Sequence, residues 1–158
     1  MTASTIGIVL GVALSASTAI PQQKGAPMAH HASGTFDVTI KPQMDEGISD
    51  PTVGRMAIDK VYHGDLDGTG LGQMLTGMAA EVKDSGTYVA IERVRGRLLG
   101  RKGTFALAHS GTMNRGAQSL RITVIPDTGT GELTGITGTM TIEIVDGKHF
   151  YKFDYTLP

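Results

Sequence analysis

No cysteine occurs in the chain, which excludes disulfide bridges and thiolate metal centres. Charge of either sign is also short of a surplus. The formal net charge is −1, and removing residues 1–28 leaves 13 basic against 15 acidic residues. A nucleic-acid partner would favour a strongly basic surface, so none is implied. Long hydrophobic runs are missing too. Residues 6–19 are apolar and small but too short to span a bilayer as a helix, so no membrane partner is implied. Tryptophan is absent and aromatics make up 5% of the chain. No stretch shows a helical period of apolar residues. Cofactor motifs are likewise lacking. The Gly129–Gly135 run has no following lysine or helix to make it a phosphate loop, and the spacing of Asp45, Glu46 and Asp50 matches no calcium loop. The reading is therefore cofactor none, metal none, with Asp45, Glu46 and Asp50 as solvated carboxylates in a polar loop over 43–51.

What is present is glycine, 22 residues of it, together with 40% hydrophobic content in 158 residues, enough for one domain with a sizeable core. Apolar residues alternate with polar ones at a period of two, which predicts strands over about 33–41, 52–64, 69–80, 88–99, 104–113, 118–125, 131–145 and 148–157. Lys60 interrupts the second stretch, and a bulge near Asp59–Lys60 is expected there. Asp65 to Gly68 reads as a turn. A loop of four over 114–117 pairs His109 with Ile122 and Leu107 with Val124. Asp146–Gly147 is a strong two-residue hairpin signal that pairs Ile144 with His149, Ile142 with Tyr151 and Met140 with Phe153. Eight strands joined by short turns predict an all-β fold, an eight-stranded antiparallel β-barrel closed or nearly so. Glycines inside the strands permit the coiling that closure needs.

Residues 86–113 form the central hairpin of this expectation. Strand side chains alternate between faces, so Tyr88, Ala90, Glu92, Val94 and Leu98 share one side and Val89, Ile91, Arg93, Arg95 and Arg97 the other. Three arginines on one face must meet water or a partner, which turns Glu92 inward. On the second strand Phe105, Leu107, His109, Gly111 and Met113 share the apolar face. The turn lies around Gly100–Gly103. A loop of two (101–102) pairs Val94 with His109, and a loop of four (99–102) pairs Glu92 with His109. Both put Glu92 and His109 on one apolar wall. Burial disfavours both charges while each stabilises the other, so the two are the candidate catalytic acid/base pair. The competing reading is a structural pair that satisfies itself inside a core. Tyr88, Val94, Phe105, Leu107, Ile122 and Tyr151 are the candidate ligand-binding walls.

The N-terminal run, followed by Ser17–Thr18–Ala19, reads as a signal peptide, although no Lys or Arg precedes it. Residues 1–28 are then signal peptide and lead-in, 20–31 read as flexible with His30–His31 a weak metal signal, and 29–158 are a single barrel domain. The protein is exported, periplasmic or secreted, if this segment is genuine, and cytoplasmic if translation starts at Met28.

Several ordered motifs carry a resemblance: His31-Ala-Ser-Gly-Thr-Phe36, Gly86-Thr-Tyr-Val-Ala-Ile-Glu-Arg-Val94, Gly100-Arg-Lys-Gly-Thr-Phe105, His109-Ser-Gly-Thr112, Gly129-Thr-Gly-Glu-Leu133 and Asp154-Tyr-Thr-Leu-Pro158. Over about residues 31–158 the chain resembles the bacterial domain-of-unknown-function family 3224, whose fold is similar to the allene oxide cyclase barrel. The resemblance implies relatives that hold small apolar molecules and guide cyclisation or coupling. Allene oxide cyclase motifs are not matched, so none of their catalytic residues is carried over. The function expected is a barrel that binds a small apolar molecule and steers its cyclisation or isomerisation. The alternatives are a non-catalytic carrier and a structural or interaction barrel with a filled core, in which Val89, Ile91 and Leu99 pack against a partner subunit in a homo-oligomer.

Overall fold

The computed structural model describes residues 28–43 and 50–158. They form nine strands: β1 (Met28–Gln43), β2 (Val53–Gly64), β3 (Leu66–Met78), β4 (Gly86–Leu98), β5 (Arg101–Asn114), β6 (Ala117–Val124), β7 (Thr130–Gly131), β8 (Thr137–Val145) and β9 (Lys148–Leu157). There is no helix among the described residues. Antiparallel pairing runs β4–β3–β2–β1–β9–β8–β6–β5, and β4 pairs again with β5, so eight strands close into a barrel. The short β7 adds two residue pairs on the edge of β5.

Turn chemistry sets the registers. Asp146 and Gly147, both with positive φ, make the two-residue turn that pairs Ile144 with His149 and Met140 with Phe153. Arg115 and Gly116 do the same for β5–β6, giving His109 opposite Ile122 and Leu107 opposite Val124. The central hairpin turns earlier than either loop the sequence suggests. Leu99 (φ 46°) and Gly100 (φ 84°) are the turn residues, and the pairs are Leu98–Arg101, Glu92–Leu107 and Ala90–His109. This differs from both expected registers by an even number, so every side chain keeps its face.

Other expectations are corrected. Residues 28–31 are not a flexible lead-in but the start of β1, with Met28 opposite Leu157 and His31 opposite Asp154. His30 stacks on Tyr155 while His31 meets Asp154 at 2.6 Å, so the two histidines have separate partners. The pairing of β2 with β3 runs without a bulge from Val53–Gly77 to Tyr62–Gly68, so Lys60 points inward with Ile58 and Tyr62. Leu66 is no turn residue. It starts β3 fully buried, its N–H donated to the Tyr151 hydroxyl at 2.8 Å. The stretch 131–145 is not one strand. Its first part folds over the barrel end and buries Leu133 and Ile136 there. The signal-peptide reading, and Asp45 and Glu46 of the polar loop, lie outside the described residues. Asp50 does more than face solvent: it accepts hydrogen bonds from the backbone N–H and hydroxyl of Thr52, which hold its carboxyl below the ordinary value.

The interior is divided along the barrel axis. At one end Leu66, Leu98, Phe105, Leu107, Leu133, Ile136, Phe153 and Leu157 pack into a continuous core, with Phe105, Phe153 and Tyr155 stacked in a column. At the other end the barrel is an open cup.

Candidate functional site

The floor of the cup is a cluster of four polar side chains brought in by three strands. β4 supplies Glu92, which is 0% exposed; β5 supplies His109, 6% exposed; β2 supplies Lys60, 4% exposed, and Tyr62. The Lys60 ammonium donates to Glu92 Oε2 at 2.7 Å and to the Tyr62 hydroxyl at 3.3 Å. Tyr62 donates to Glu92 Oε1 at 2.8 Å. His109 Nε2 lies 3.1 Å from Glu92 Oε2, a close contact that falls short of an aligned hydrogen bond. Glycine makes room for this arrangement. A methyl group on Gly70 of β3 would overlap Glu92 Oε1, so the carboxylate lies in the space that glycine leaves.

The electrostatics follow from these contacts. Burial pushes the Glu92 carboxyl up, but the His109 and Lys60 contacts outweigh it and hold the carboxyl below its ordinary value, so Glu92 is the anion of the cluster. Burial pushes the Tyr62 hydroxyl well up, and the Glu92 charge and hydrogen bond push it further, so Tyr62 stays a neutral donor. Lys60 also stands over the Phe36 ring, 4.7 Å from its centroid, a favourable site for a cation.

Above this floor lies a cavity of about 420 Å³. Phe36, Val38 and Ile40 of β1, Ile58 and Lys60 of β2 and Met74 of β3 line one side. Tyr88, Gly111, Leu120, Ile142 and His149 are among the residues that line the rest. Lys60 is the member of the cluster that lines the cavity; Glu92, His109 and Tyr62 do not. Of the six wall residues expected from the sequence, Tyr88 lines the cavity, packed across Gly111. Val94, Phe105, Leu107, Ile122 and Tyr151 lie instead in the packed core, each no more than 1% exposed. Alternation gives the face of a residue correctly, but height along the barrel depends on strand tilt and stagger. The sequence reading also missed Lys60 and Tyr62. The available signal was Ile58–Lys60–Tyr62 at unbroken period two: an inward lysine demands an inward acid, and Glu92 was already placed inside. No group of three or more metal-ligating side chains occurs among the described residues.

Fold and site together define a small antiparallel barrel with one packed end and one open apolar cup over a buried charged cluster. The chain belongs to the family described as "Protein of unknown function (DUF3224)", whose model matches residues 32–155. A solved structure of a DUF3224 protein of unknown function from Shewanella oneidensis MR-1 is 44% identical. It aligns over 83% of this chain and 99% of its own, with a TM-score of 0.76. No curated protein matches.

Proposed function

We propose that this protein binds a small, mainly apolar molecule in the open cup of the barrel and steers its isomerisation or cyclisation through the polar floor. The observation that carries the reading is the juxtaposition of a largely apolar cavity of about 420 Å³ with one lining lysine, Lys60, whose ammonium is held by Glu92 and Tyr62. That volume lies within the range of small-molecule sites, and a few placed polar groups in an apolar wall are their usual composition. Steering a rearrangement needs shape and a fixed dipole or charge rather than a nucleophile. Glu92 and His109 are positioning residues in this scheme, because Lys60 lines the cavity and they do not.

The test is saturable binding of an environment-sensitive apolar probe, N-phenyl-1-naphthylamine, to wild-type protein and to Ile142→Trp, which fills the cup. Saturable fluorescence gain in the wild type and its loss in the variant are expected. Absence of saturable binding to the wild type would remove the reading, and native mass spectrometry of protein purified from its source would show any co-purifying ligand.

A second reading rests on a separate surface. On the outer wall Leu75 stands opposite Val89, and Ile91 is flanked by Leu71, all four more than half exposed. Leu71 itself lies between Asp59 and Arg93. An apolar stripe with an acid on one side and a base on the other is self-complementary under two-fold rotation. We propose a second copy of the chain as its occupant. Sedimentation equilibrium should find a dimer that Ile91→Asp dissociates; a monomer at all concentrations would refute it.

A further inference from the structure

Lys60 offers more than a positive charge at the bottom of the cup. An ammonium has three N–H donors and no acceptor. Two of those donors are committed, to Glu92 Oε2 and to the Tyr62 hydroxyl. Lys60 nevertheless forms part of the cavity lining, among Phe36, Val38, Ile58 and Met74, and its ammonium stands 4.7 Å from the centroid of the lining Phe36 ring. The other polar groups of the lining are Thr76, Thr87, Thr112, Gln118 and Ser119 towards the hairpin ends, the Tyr88 hydroxyl, and the His149 imidazole beside Phe36. A molecule filling the cup therefore has a mainly apolar body and meets Lys60, the one ammonium-bearing residue of the lining, at its buried end.

We infer that the ligand's buried end is a neutral carbonyl oxygen, of a ketone, aldehyde or ester, accepting the third Lys60 proton. This rests on the proposed use of the cup as a small-molecule site. The donor-only character of Lys60 requires an acceptor. The ionised Glu92 speaks against two alternatives, an imine and a carboxylate. Its Oε2 engages the Lys60 nitrogen as a hydrogen-bond donor at 2.7 Å, so no free amine lone pair is presented for imine formation. It already balances the Lys60 charge, so a ligand carboxylate would put two like charges around one cation in an apolar site. A carbonyl completes the donor set without adding charge. Its polarisation by a fixed ammonium is also what an isomerisation through an enol or a dienol would use.

The experiment compares 2-nonanone, nonane and nonanoate as displacers of N-phenyl-1-naphthylamine, and records the infrared carbonyl stretch of bound 2-nonanone. The ketone should displace the probe at about tenfold lower concentration than nonane, the size expected of one hydrogen bond to a charged group. Its carbonyl stretch should fall below the value in an apolar solvent. In Lys60→Met/Glu92→Gln, which removes both charges together, the advantage and the stretch shift should both disappear. Equal displacement by ketone and nonane, strongest displacement by nonanoate, or an unshifted stretch in bound wild-type protein would overturn the inference and leave the cup reading standing. Failure of the probe itself to bind wild-type protein would overturn both. The stretch in the wild-type protein decides by itself if the double variant does not fold.

Discussion

Taking one carboxylate out of water costs several kcal/mol unless it is paired and hydrogen-bonded. Glu92 meets that demand with a cation, a phenol and an imidazole drawn from two other strands. The cluster is therefore a unit, and its members should not respond independently. Lys60→Met strands a buried carboxylate and should cost about 3–5 kcal/mol in urea unfolding, as should Glu92→Gln by stranding the ammonium. Lys60→Met/Glu92→Gln should cost clearly less than the sum, because the second change removes the group the first left unpaired. Additive costs would show that the two do not act as a pair. The pH dependence follows from the direction of the Glu92 shift. Its carboxyl is held below the ordinary value, so its contribution is fully present above the unfolded carboxylate value, about 4.3, and is lost as pH falls through the lower folded value. Wild-type stability should thus fall more steeply on acidification than that of Lys60→Met/Glu92→Gln. Parallel pH profiles would contradict the depressed value.

At the scale of elements, the hairpins explain what was legible in the sequence and what was not. Asp146–Gly147 combines a turn pair with matching alternation on both sides, and the register it predicts is the register observed. The central turn is less legible because Leu99, an unusual residue for positive φ, occupies the position that Asn or Asp would mark. Lys60 was hidden for the opposite reason: a charged residue at an inward position looks like a break in the pattern, and only its long-range partner on β4 explains it. Two substitutions test these arguments. Leu99→Asn replaces a half-exposed leucine at a left-handed position. It should stabilise the protein by about 0.5–1 kcal/mol, seen as a higher thermal midpoint, since the left-handed conformation costs other residues about 1–2 kcal/mol. An unchanged or lower midpoint would mean that the leucine side chain contributes more than its strain. Gly70→Ala puts a methyl group where Glu92 Oε1 lies. It should cost about 1–3 kcal/mol, the usual range for overpacking. That cost should shrink when measured in the Lys60→Met/Glu92→Gln background, where the smaller electrostatic demand lets the side chain move aside. An equal cost in both backgrounds would place the clash on the backbone rather than on the cluster.

For the whole molecule, the division into a packed end and an open cup traces to one weak seam. β6 and β8 share two residue pairs, Ile122–Met140 and Thr123–Thr139, whereas the neighbouring β8–β9 pairing extends from Thr137–Thr156 to Val145–Lys148. Beyond Ile122 and Met140 the two strands separate, and the residues on their parted edges, Gln118 to Leu120 and Ile142 and Ile144, line the cavity. The barrel thus closes firmly where Leu133 and Ile136 plug its end and splays where the cup opens. Nothing in the local pattern of 118–125 or 137–145 announces this: both read as ordinary alternating strands, and the splay is a property of closure around eight strands. It has a dynamic consequence. Amides facing across the seam from 118–121 and 141–144 lack a partner strand there, so their hydrogen exchange should be fast compared with the β4–β5 ladder. A molecule seated in the cup touches both edges at once and should slow exchange at those amides while leaving the plugged end unchanged. Uniformly slow exchange in the free protein would show that the seam is closed in solution. Slowing confined to the outer stripe around Leu75 and Ile91 would place the occupant on the surface rather than in the cup.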